Sequence, residues 1–269
     1  MNAAPDDAAL DALDAIVAAA RRALAGRIPD HPRLAVDARP GRIEPPPGYR
    51  ADADPLFWTD LTLLKPEATG AEIDALADRA RAAHAAAACV NPGIVDRVAA
   101  RLAGSTTMPI CVVGFPFGAG RPESLAREAA DAVAAGAREI DMVLAYGRLR
   151  DDDVGHVFAH VRACVEAAKV PVKVILETAA LSDDQIARGA LIAAAAGAAF
   201  VKTSTGFGGG GASTHHVMLI RRAVGDAIGV KASGGIRDAA GAHAMLRAGA
   251  NRIGASRIDP GGAQPTKGY

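Results

Sequence analysis

Six charged residues interrupt stretches of the sequence that are otherwise apolar. Lys202 follows Ala-Ala-Phe-Val and Lys231 follows Ile-Gly-Val, in each case where an apolar run ends. A charged side chain that is buried without a partner is costly, so opposite charges in such positions are expected to contact one another. The six residues that we expect to meet in one site are Asp60, Asp141, Lys173, Glu177, Lys202 and Lys231.

Lysine at positions 202 and 231 is chemically informative, because the chain has only six lysines against 24 arginines. An arginine keeps its charge in a protein, whereas burial and a second nearby cation can bring a lysine amine towards neutrality. A neutral Lys202 beside a charged Lys231 could attack a carbonyl carbon and form a Schiff base. Alternatively, each lysine pairs with a buried carboxylate and has no further role.

Asp141 lies in the run Glu139-Ile-Asp-Met-Val, where it is flanked by apolar residues. A carboxylate in this position could transfer protons, or it could hold Lys202 or Lys231 in place, and the two roles are compatible. Glu139 lies on the same face of the predicted strand but closer to its start, so we assign it a structural role.

Short apolar runs alternate with longer Ala-rich segments that begin at capping residues such as Thr69, Ser182 and Asp238. This alternation predicts parallel strands joined by helices, and eight repeats predict a single (β/α)8 TIM barrel. An open doubly wound sheet is the alternative, but the turn after the first strand lacks its glycine pattern. The predicted strands are 57–64, 87–90, 108–114, 139–144, 172–177, 199–203, 229–232 and 252–254.

Chemistry in such barrels gathers at the C-terminal ends of the strands, and the loops after strands seven and eight often bind phosphate. Here those loops read Ser233-Gly-Gly-Ile and Gly254-Ala-Ser, and glycine lets backbone N–H groups approach an anion closely. Arg237 and Arg257 could add positive charge there, or could simply face solvent. The sequence therefore predicts a small phosphate site at this edge of the barrel.

The composition argues against several other functions. Basic and acidic residues balance at 30 each, which is unlike the basic surface of a nucleic-acid-binding protein. There is no apolar run of about 18 residues, so we expect no membrane segment. The three cysteines and seven histidines lack disulfide and metal-binding spacings, so we expect free thiols, no metal site and a cytoplasmic location.

Eight segments, in order along the chain, resemble the deoxyribose-phosphate aldolases, a family of class I aldolases. Lys202-Thr-Ser-Thr-Gly and Lys231-Ala-Ser-Gly-Gly-Ile-Arg are the most specific of them. The sequence departs from some family members at Phe207, where they carry a basic residue that helps to hold phosphate. The resembling segments are 60–62, 89–92, 113–118, 139–143, 173–178, 200–206, 230–237 and 253–256.

This resemblance implies reversible cleavage of 2-deoxy-D-ribose 5-phosphate to D-glyceraldehyde 3-phosphate and acetaldehyde, without metal or organic cofactor. It implies that Lys202 forms the Schiff base, Lys231 lowers its pKa and assists proton transfer, and Asp141 relays protons. The terminal Tyr269 matches a tyrosine that assists proton transfer in some members; an ordinary chain end is the alternative. The predicted substrate contacts are Asp60, Cys89, Thr203, Gly206, Gly208, Gly234, Gly235, Gly254 and Ser256.

The chain divides into three predicted parts. Residues 1–55 form an N-terminal helix and an irregular Pro-rich extension, 56–258 form the barrel, and 259–269 form a flexible tail. We expect a homo-oligomer, either a dimer or a tetramer, whose partners are otherwise sugar phosphates and aldehydes. Two functional alternatives remain: another lysine-dependent sugar-phosphate lyase such as a transaldolase, or a non-catalytic barrel that binds a sugar phosphate.

Overall fold

Eight parallel strands form a closed barrel at the centre of the protein, seen in a computed structural model that describes residues 6–35, 38–226 and 228–258. Each strand pairs with the next along the chain, and the last pairs with the first. The (β/α)8 TIM barrel is thereby confirmed. The strands are β1 (Thr59–Thr62), β2 (Ala87–Val90), β3 (Met108–Val113), β4 (Glu139–Val143), β5 (Val172–Ile175), β6 (Phe200–Lys202), β7 (Gly229–Ser233) and β8 (Arg252–Ala255).

Helices surround the barrel, and their starts follow the capping signals in the sequence. Thr69 and Ser182 each form a capping box with the residue three positions later, which satisfies backbone N–H groups that have no partner within the helix. Within the described residues the α-helices are α1 (Asp7–Leu24), α2 (Gly70–Ala82), α3 (Val95–Arg101), α4 (Pro122–Ala134), α5 (Tyr146–Arg150), α6 (Val154–Ala168), α7 (Asp183–Ala195), α8 (Thr214–Val224) and α9 (Ala239–Arg247).

The first strand is shorter than predicted. Phe57 and Trp58 belong to a 3₁₀ turn, Pro55–Trp58, which begins where the Asp54 carboxylate accepts a hydrogen bond from the Leu56 N–H at 2.9 Å. Proline at the first position of a helical turn fixes the backbone angle and needs no N–H partner. The apolar character of Phe57 and Trp58 therefore did not indicate a strand.

The N-terminal helix α1 packs on the outside of the barrel against α7 and α8. Its apolar face is buried through Leu13, Val17, Ala20 and Leu24. Arg21 is also buried, and its guanidinium donates to the carbonyl oxygen of Arg33 at 3.1 Å and to that of Ala38 at 2.8 Å. These bonds tie the irregular chain after α1 to the helix. Within the described ranges, no helix is long and apolar enough to cross a membrane.

Replacing Leu24 by alanine tests whether α1 is part of the folding unit of the barrel. Leu24 is completely buried, so we expect L24A to lower the free energy of unfolding by about 2–5 kcal/mol. The exposed Arg22, in the same helix, serves as the control, and R22A should leave stability unchanged. Urea denaturation measures both; an early separate transition in L24A alone would show that α1 unfolds independently of the barrel.

Candidate active site

Three lysines converge on the carboxylate of Asp141 inside the barrel. Asp141 Oδ2 accepts hydrogen bonds from Lys202 Nζ at 2.8 Å and from Lys231 Nζ at 2.7 Å, while its Oδ1 accepts from Lys173 Nζ at 2.9 Å. The strand register produces this arrangement, because Lys202 lies opposite Lys231 on β6 and β7, and Asp141 lies opposite Lys173 on β4 and β5. The alternation along each strand directs these side chains inwards.

A second carboxylate, Asp60 on β1, extends the cluster across the barrel. Asp60 Oδ2 lies 2.5 Å from Lys231 Nζ, and its Oδ1 lies 2.7 Å from a guanidinium nitrogen of Arg252. Glu139 completes the cluster, with Oε2 at 2.5 Å from Lys173 Nζ and 3.5 Å from Arg252. The structural role predicted for Glu139 has a basis in these contacts.

The cluster thus contains four cations and three carboxylates within the described chain. All are at most 5% exposed except Arg252, whose side chain is 13% exposed. Lys173, Lys231 and Arg252 each contact at least two carboxylates, whereas Lys202 contacts Asp141 alone. Lys202 is therefore the cation of this cluster that can lose its proton at the lowest cost.

The pKa directions agree with this difference in contacts. Burial lowers the pKa of Lys202, and the charge of Lys231 lowers it further, against the opposing effect of Asp141. Burial would also lower the pKa of Lys231, but Asp141 and Asp60 outweigh it and raise that pKa. The same two carboxylates raise the pKa of Lys173 against the effect of burial. The site therefore contains one lysine poised towards neutrality beside two that stay charged.

The two central carboxylates remain ionised. Burial by itself would raise the pKa of Asp60, but Lys231, Arg252 and Lys173 bring it down to about 2. Burial acts in the same way on Asp141, and the three lysines hold its pKa well below its usual value. Asp141 is consequently a permanent hydrogen-bond acceptor for the amine of Lys202.

An open cleft leads from solvent to Lys202. Gly206, Gly234 and Gly235 have φ angles of +85°, +91° and +76°, which favour glycine, and they turn the backbone around the cleft. A side chain at Gly254 would lie 2.8 Å from the Cβ of Ser233, so only glycine fits there. Besides Lys202, the cleft is lined by Thr62, Leu64, Thr205, Gly206, Ser233, Gly234, Gly235, Ile236, Arg237, Gly254, Ala255 and Ser256.

Five of the predicted substrate contacts lie in this cleft with Lys202: Gly206, Gly234, Gly235, Gly254 and Ser256. Asp60 lies in the charge cluster, where its carboxylate is completely buried. The Thr203 hydroxyl is used within the barrel, since it donates to the carbonyl oxygen of Ser233 at 2.9 Å and accepts from its N–H at 3.0 Å. Tyr269 lies outside the described residues.

Cys89 and Gly208 do not line this cleft. Cys89 is fully buried inside the barrel between apolar residues of β2 and β3, and burial raises the pKa of its thiol to about 11. Gly208 lines a second cleft, together with Phe117, Tyr146 and Phe207. Cys89 lies close enough to Lys202, Lys231 and Asp141 to interact with their charges, so it borders the charge cluster, whereas Gly208 lies at the second cleft.

Sequence reasoning missed Arg252 as a member of the site. It begins the last strand, where a charge next to the apolar Ile253 could have been noticed as a further interruption. Its guanidinium carbon also lies 5.6 Å from the centre of the Phe200 ring, which holds it across the barrel. Among the described residues, no group of three His, Cys, Asp or Glu side chains is placed to hold a metal ion.

Acid titration of Asp60 offers a test of the charge cluster. Its pKa is about 2 in the folded protein and about 3.9 in an unfolded chain, so its carboxylate stabilises the fold above pH 4 by about 2–3 kcal/mol. This contribution is lost as the pH falls through the folded pKa. We therefore expect the stability difference between the wild type and D60N to narrow between about pH 5 and pH 2.5 in urea denaturation.

Asp78 provides the control for this titration, because it forms an exposed ion pair with Arg101 at 2.6 Å. D78N should change stability little at any pH, since exposed ion pairs contribute little. A constant difference between the wild type and D60N over the whole acid range would contradict the lowered pKa of Asp60.

Comparisons with known proteins agree with the geometry. A sequence model described as DeoC/LacD family aldolase matches residues 56–262. Deoxyribose-phosphate aldolase 1 of Bacillus licheniformis is 50% identical over 199 residues, which cover 73% of this chain and 89% of that protein. The deoxyribose-phosphate aldolase of Listeria monocytogenes is 48% identical over the same length, with the same coverage.

A solved structure is similar over most of the chain. The tetrameric deoxyribose phosphate aldolase of Aeropyrum pernix superposes with a TM-score of 0.69 at 27% sequence identity. The match covers 90% of this chain and 93% of that one. With a family match over most of the chain and relatives of about half identical sequence, this chain belongs to the DeoC/LacD family of aldolases.

Proposed function

We propose that the protein is a class I aldolase that reversibly cleaves 2-deoxy-D-ribose 5-phosphate to D-glyceraldehyde 3-phosphate and acetaldehyde. The observation that carries this proposal is Lys202, a lysine with a lowered pKa that lines a glycine-rich cleft. A neutral amine in such a cleft can attack the C1 aldehyde of an open-chain sugar. The names of the relatives in Bacillus licheniformis and Listeria monocytogenes support the choice of substrate.

The proposed reaction begins when the Lys202 amine adds to C1 and gives a carbinolamine, which loses water to form an iminium ion. A base removes the proton of the C3 hydroxyl, the C2–C3 bond breaks, and its electron pair moves to the iminium nitrogen. D-glyceraldehyde 3-phosphate leaves, and an enamine remains on Lys202. Protonation at C2 and hydrolysis then release acetaldehyde and the free amine.

Asp141 and Lys231 are assigned the proton transfers that accompany these steps. Asp141 Oδ2 lies within 2.8 Å of Lys202 Nζ and 2.7 Å of Lys231 Nζ, so a proton can pass between the two amines and a bound hydroxyl group along this carboxylate. Lys231 is held charged by Asp60 and Asp141, and its charge disfavours protonation of Lys202. Asp60 thus supports the reaction indirectly, by holding Lys231.

The phosphate group is assigned to the loops after β7 and β8 and to the backbone at Gly206. Their glycines leave the backbone accessible along the cleft wall, and Arg237, which is exposed, lines the same cleft. Phe207 occupies the position after Gly206 and supplies no charge. Binding of the phosphate then depends on backbone N–H groups, Ser256 and Arg237.

Two further features complete the proposal. We propose a homo-oligomer, a dimer or a tetramer, which the tetrameric relative from Aeropyrum pernix supports. We also propose a cytoplasmic location, since the three cysteines are buried as free thiols and need no oxidising compartment.

Reductive trapping with acetaldehyde tests the Schiff base. Sodium borohydride should reduce the iminium ion and leave a two-carbon group on Lys202, located by mass spectrometry of peptides. K202M should carry no such group and should not form deoxyribose 5-phosphate from acetaldehyde and glyceraldehyde 3-phosphate. The exposed Lys169 is the control, and K169M should behave as the wild type. An active protein with unmodified Lys202 would contradict the mechanism.

Replacement of Lys231 by leucine tests whether its charge lowers the pKa of Lys202. Removing its charge should raise the pKa of Lys202 and move the pH at which half-maximal trapping occurs upwards by about one unit. Lys173 is the matched comparison, because it is equally buried but bonds to the other oxygen of Asp141. We expect a smaller shift in K173L; equal shifts in both variants would assign the effect to Asp141 rather than to Lys231.

A further inference from the structure

Glu177 is a buried carboxylate two residues after the end of β5 that the proposed reaction does not use. It is 5% exposed, and its Oε2 accepts hydrogen bonds from the N–H of Thr205, at 3.2 Å, and from the Thr205 hydroxyl. The same hydroxyl accepts a hydrogen bond from the N–H of Phe207 at 3.0 Å. A single side chain just after β5 therefore organises the backbone that follows the lysine strand β6.

The backbone of Glu177 is in the left-handed region, with φ +58° and ψ +62°. This conformation is unfavourable for a residue with a side chain, and it persists only where the surroundings determine it. Its two neighbours are fixed to β6, since Leu176 N–H donates to the Lys202 carbonyl at 3.0 Å and Thr178 N–H donates to the Thr203 carbonyl at 3.1 Å. The unusual backbone turns the carboxylate towards Thr205.

The segment after Lys202 is held from both sides. On the β7 side, Thr203 exchanges two hydrogen bonds with Ser233, and the Ser233 hydroxyl donates to the Ser204 carbonyl at 2.6 Å. On the β5 side, Glu177 holds Thr205. Thr205 and Gly206 are part of the wall of the cleft that contains Lys202, so the position of this wall depends on the Glu177 carboxylate.

Glu177 does not line the cleft that contains Lys202, so it is not placed to touch a sugar bound there. Its second oxygen, Oε1, is buried without a hydrogen-bond partner, and a Cβ atom at Gly208 would lie 3.2 Å from it. Gly208 thus packs closely against this carboxylate. Glu177 lines only the second cleft, on the other side of Thr205.

We propose that Glu177 is a positioning residue that fixes Thr205 and Gly206 so that the cleft binds the phosphate group of the substrate. This proposal rests on the proposed function, because it assigns phosphate to that cleft. Glu177 acts on affinity for phosphorylated substrate, and chemistry at Lys202 proceeds without it. Glu177 therefore helps the cleft to distinguish phosphorylated from unphosphorylated sugars, although it contacts neither sugar.

Kinetics with two substrates, 2-deoxyribose 5-phosphate and 2-deoxyribose, test the proposal. In E177A we expect KM for the phosphorylated sugar to rise about tenfold while its kcat stays within about twofold, since hydrogen bonds that position a binding wall are lost. KM for 2-deoxyribose should stay unchanged. E177Q retains a carbonyl oxygen that can accept both bonds from Thr205, so it should restore the wild-type KM.

Two further variants sharpen the test. T205V removes the hydroxyl that Glu177 holds, and the loss of affinity in E177A/T205V should be smaller than the sum of the two single losses, because the two residues share one hydrogen bond. T178V is the matched control: the Thr178 hydroxyl also bridges the ends of β5 and β6, at 3.3 Å from the Ser204 hydroxyl, but lines neither cleft. T178V should leave the ratio of the two KM values unchanged.

Binding of inorganic phosphate, measured by calorimetry, gives a readout that does not depend on turnover, and it should weaken about tenfold in E177A. The proposal is overturned if E177A lowers kcat/KM equally for both sugars, if E177Q is as defective as E177A, or if phosphate affinity is unchanged. A wild type that cleaves neither sugar, with phosphate binding still weakened in E177A, would contradict the proposed function and leave the role of Glu177 supported.

Discussion

The buried charges inside the barrel are unequal in number, and the rest of the site depends on this imbalance. Four cations share three carboxylates, in an interior where an excess charge is poorly solvated. Lys202 has the fewest carboxylate contacts, so loss of its proton is the least costly way to remove the one excess positive charge. The barrel makes this possible because it brings residues of β1, β4, β5, β6, β7 and β8 within a few ångströms of one another.

Much of this arrangement could be predicted from the sequence, because a charged residue within an apolar strand is rare and easily recognised. This pattern indicates Lys202, Lys231 and Asp141, and the parallel order of the strands then places the carboxyl ends of all strands at one end of the barrel. The predicted start of β1 was wrong because the aromatic residues Phe57 and Trp58 suit a strand and a 3₁₀ turn equally. Arg252 was missed because it is the first residue of its strand, where a charge is usual next to a solvent-exposed turn.

The role of Glu177 could not be predicted from the sequence, for a different reason. Its charge marked it as unusual, but its role depends on a left-handed backbone conformation that no local residue pattern indicates. The backbone bonds of the sheet continue as far as Thr203, and after it side-chain hydrogen bonds from Glu177 and Ser233 hold the chain. Such bonds depend on three-dimensional register, so they become visible only in the folded chain.

The docking of α1 has a consequence for the lysine pair. The two helices that it covers are those that lead into the lysine strands, α7 into β6 and α8 into β7. The segment before residue 56 thus supports, from outside, the two strands whose spacing sets the distance between Lys202 and Lys231. The extension lies outside the family match, so in this chain the support of the two lysine strands comes partly from residues that the family model does not include.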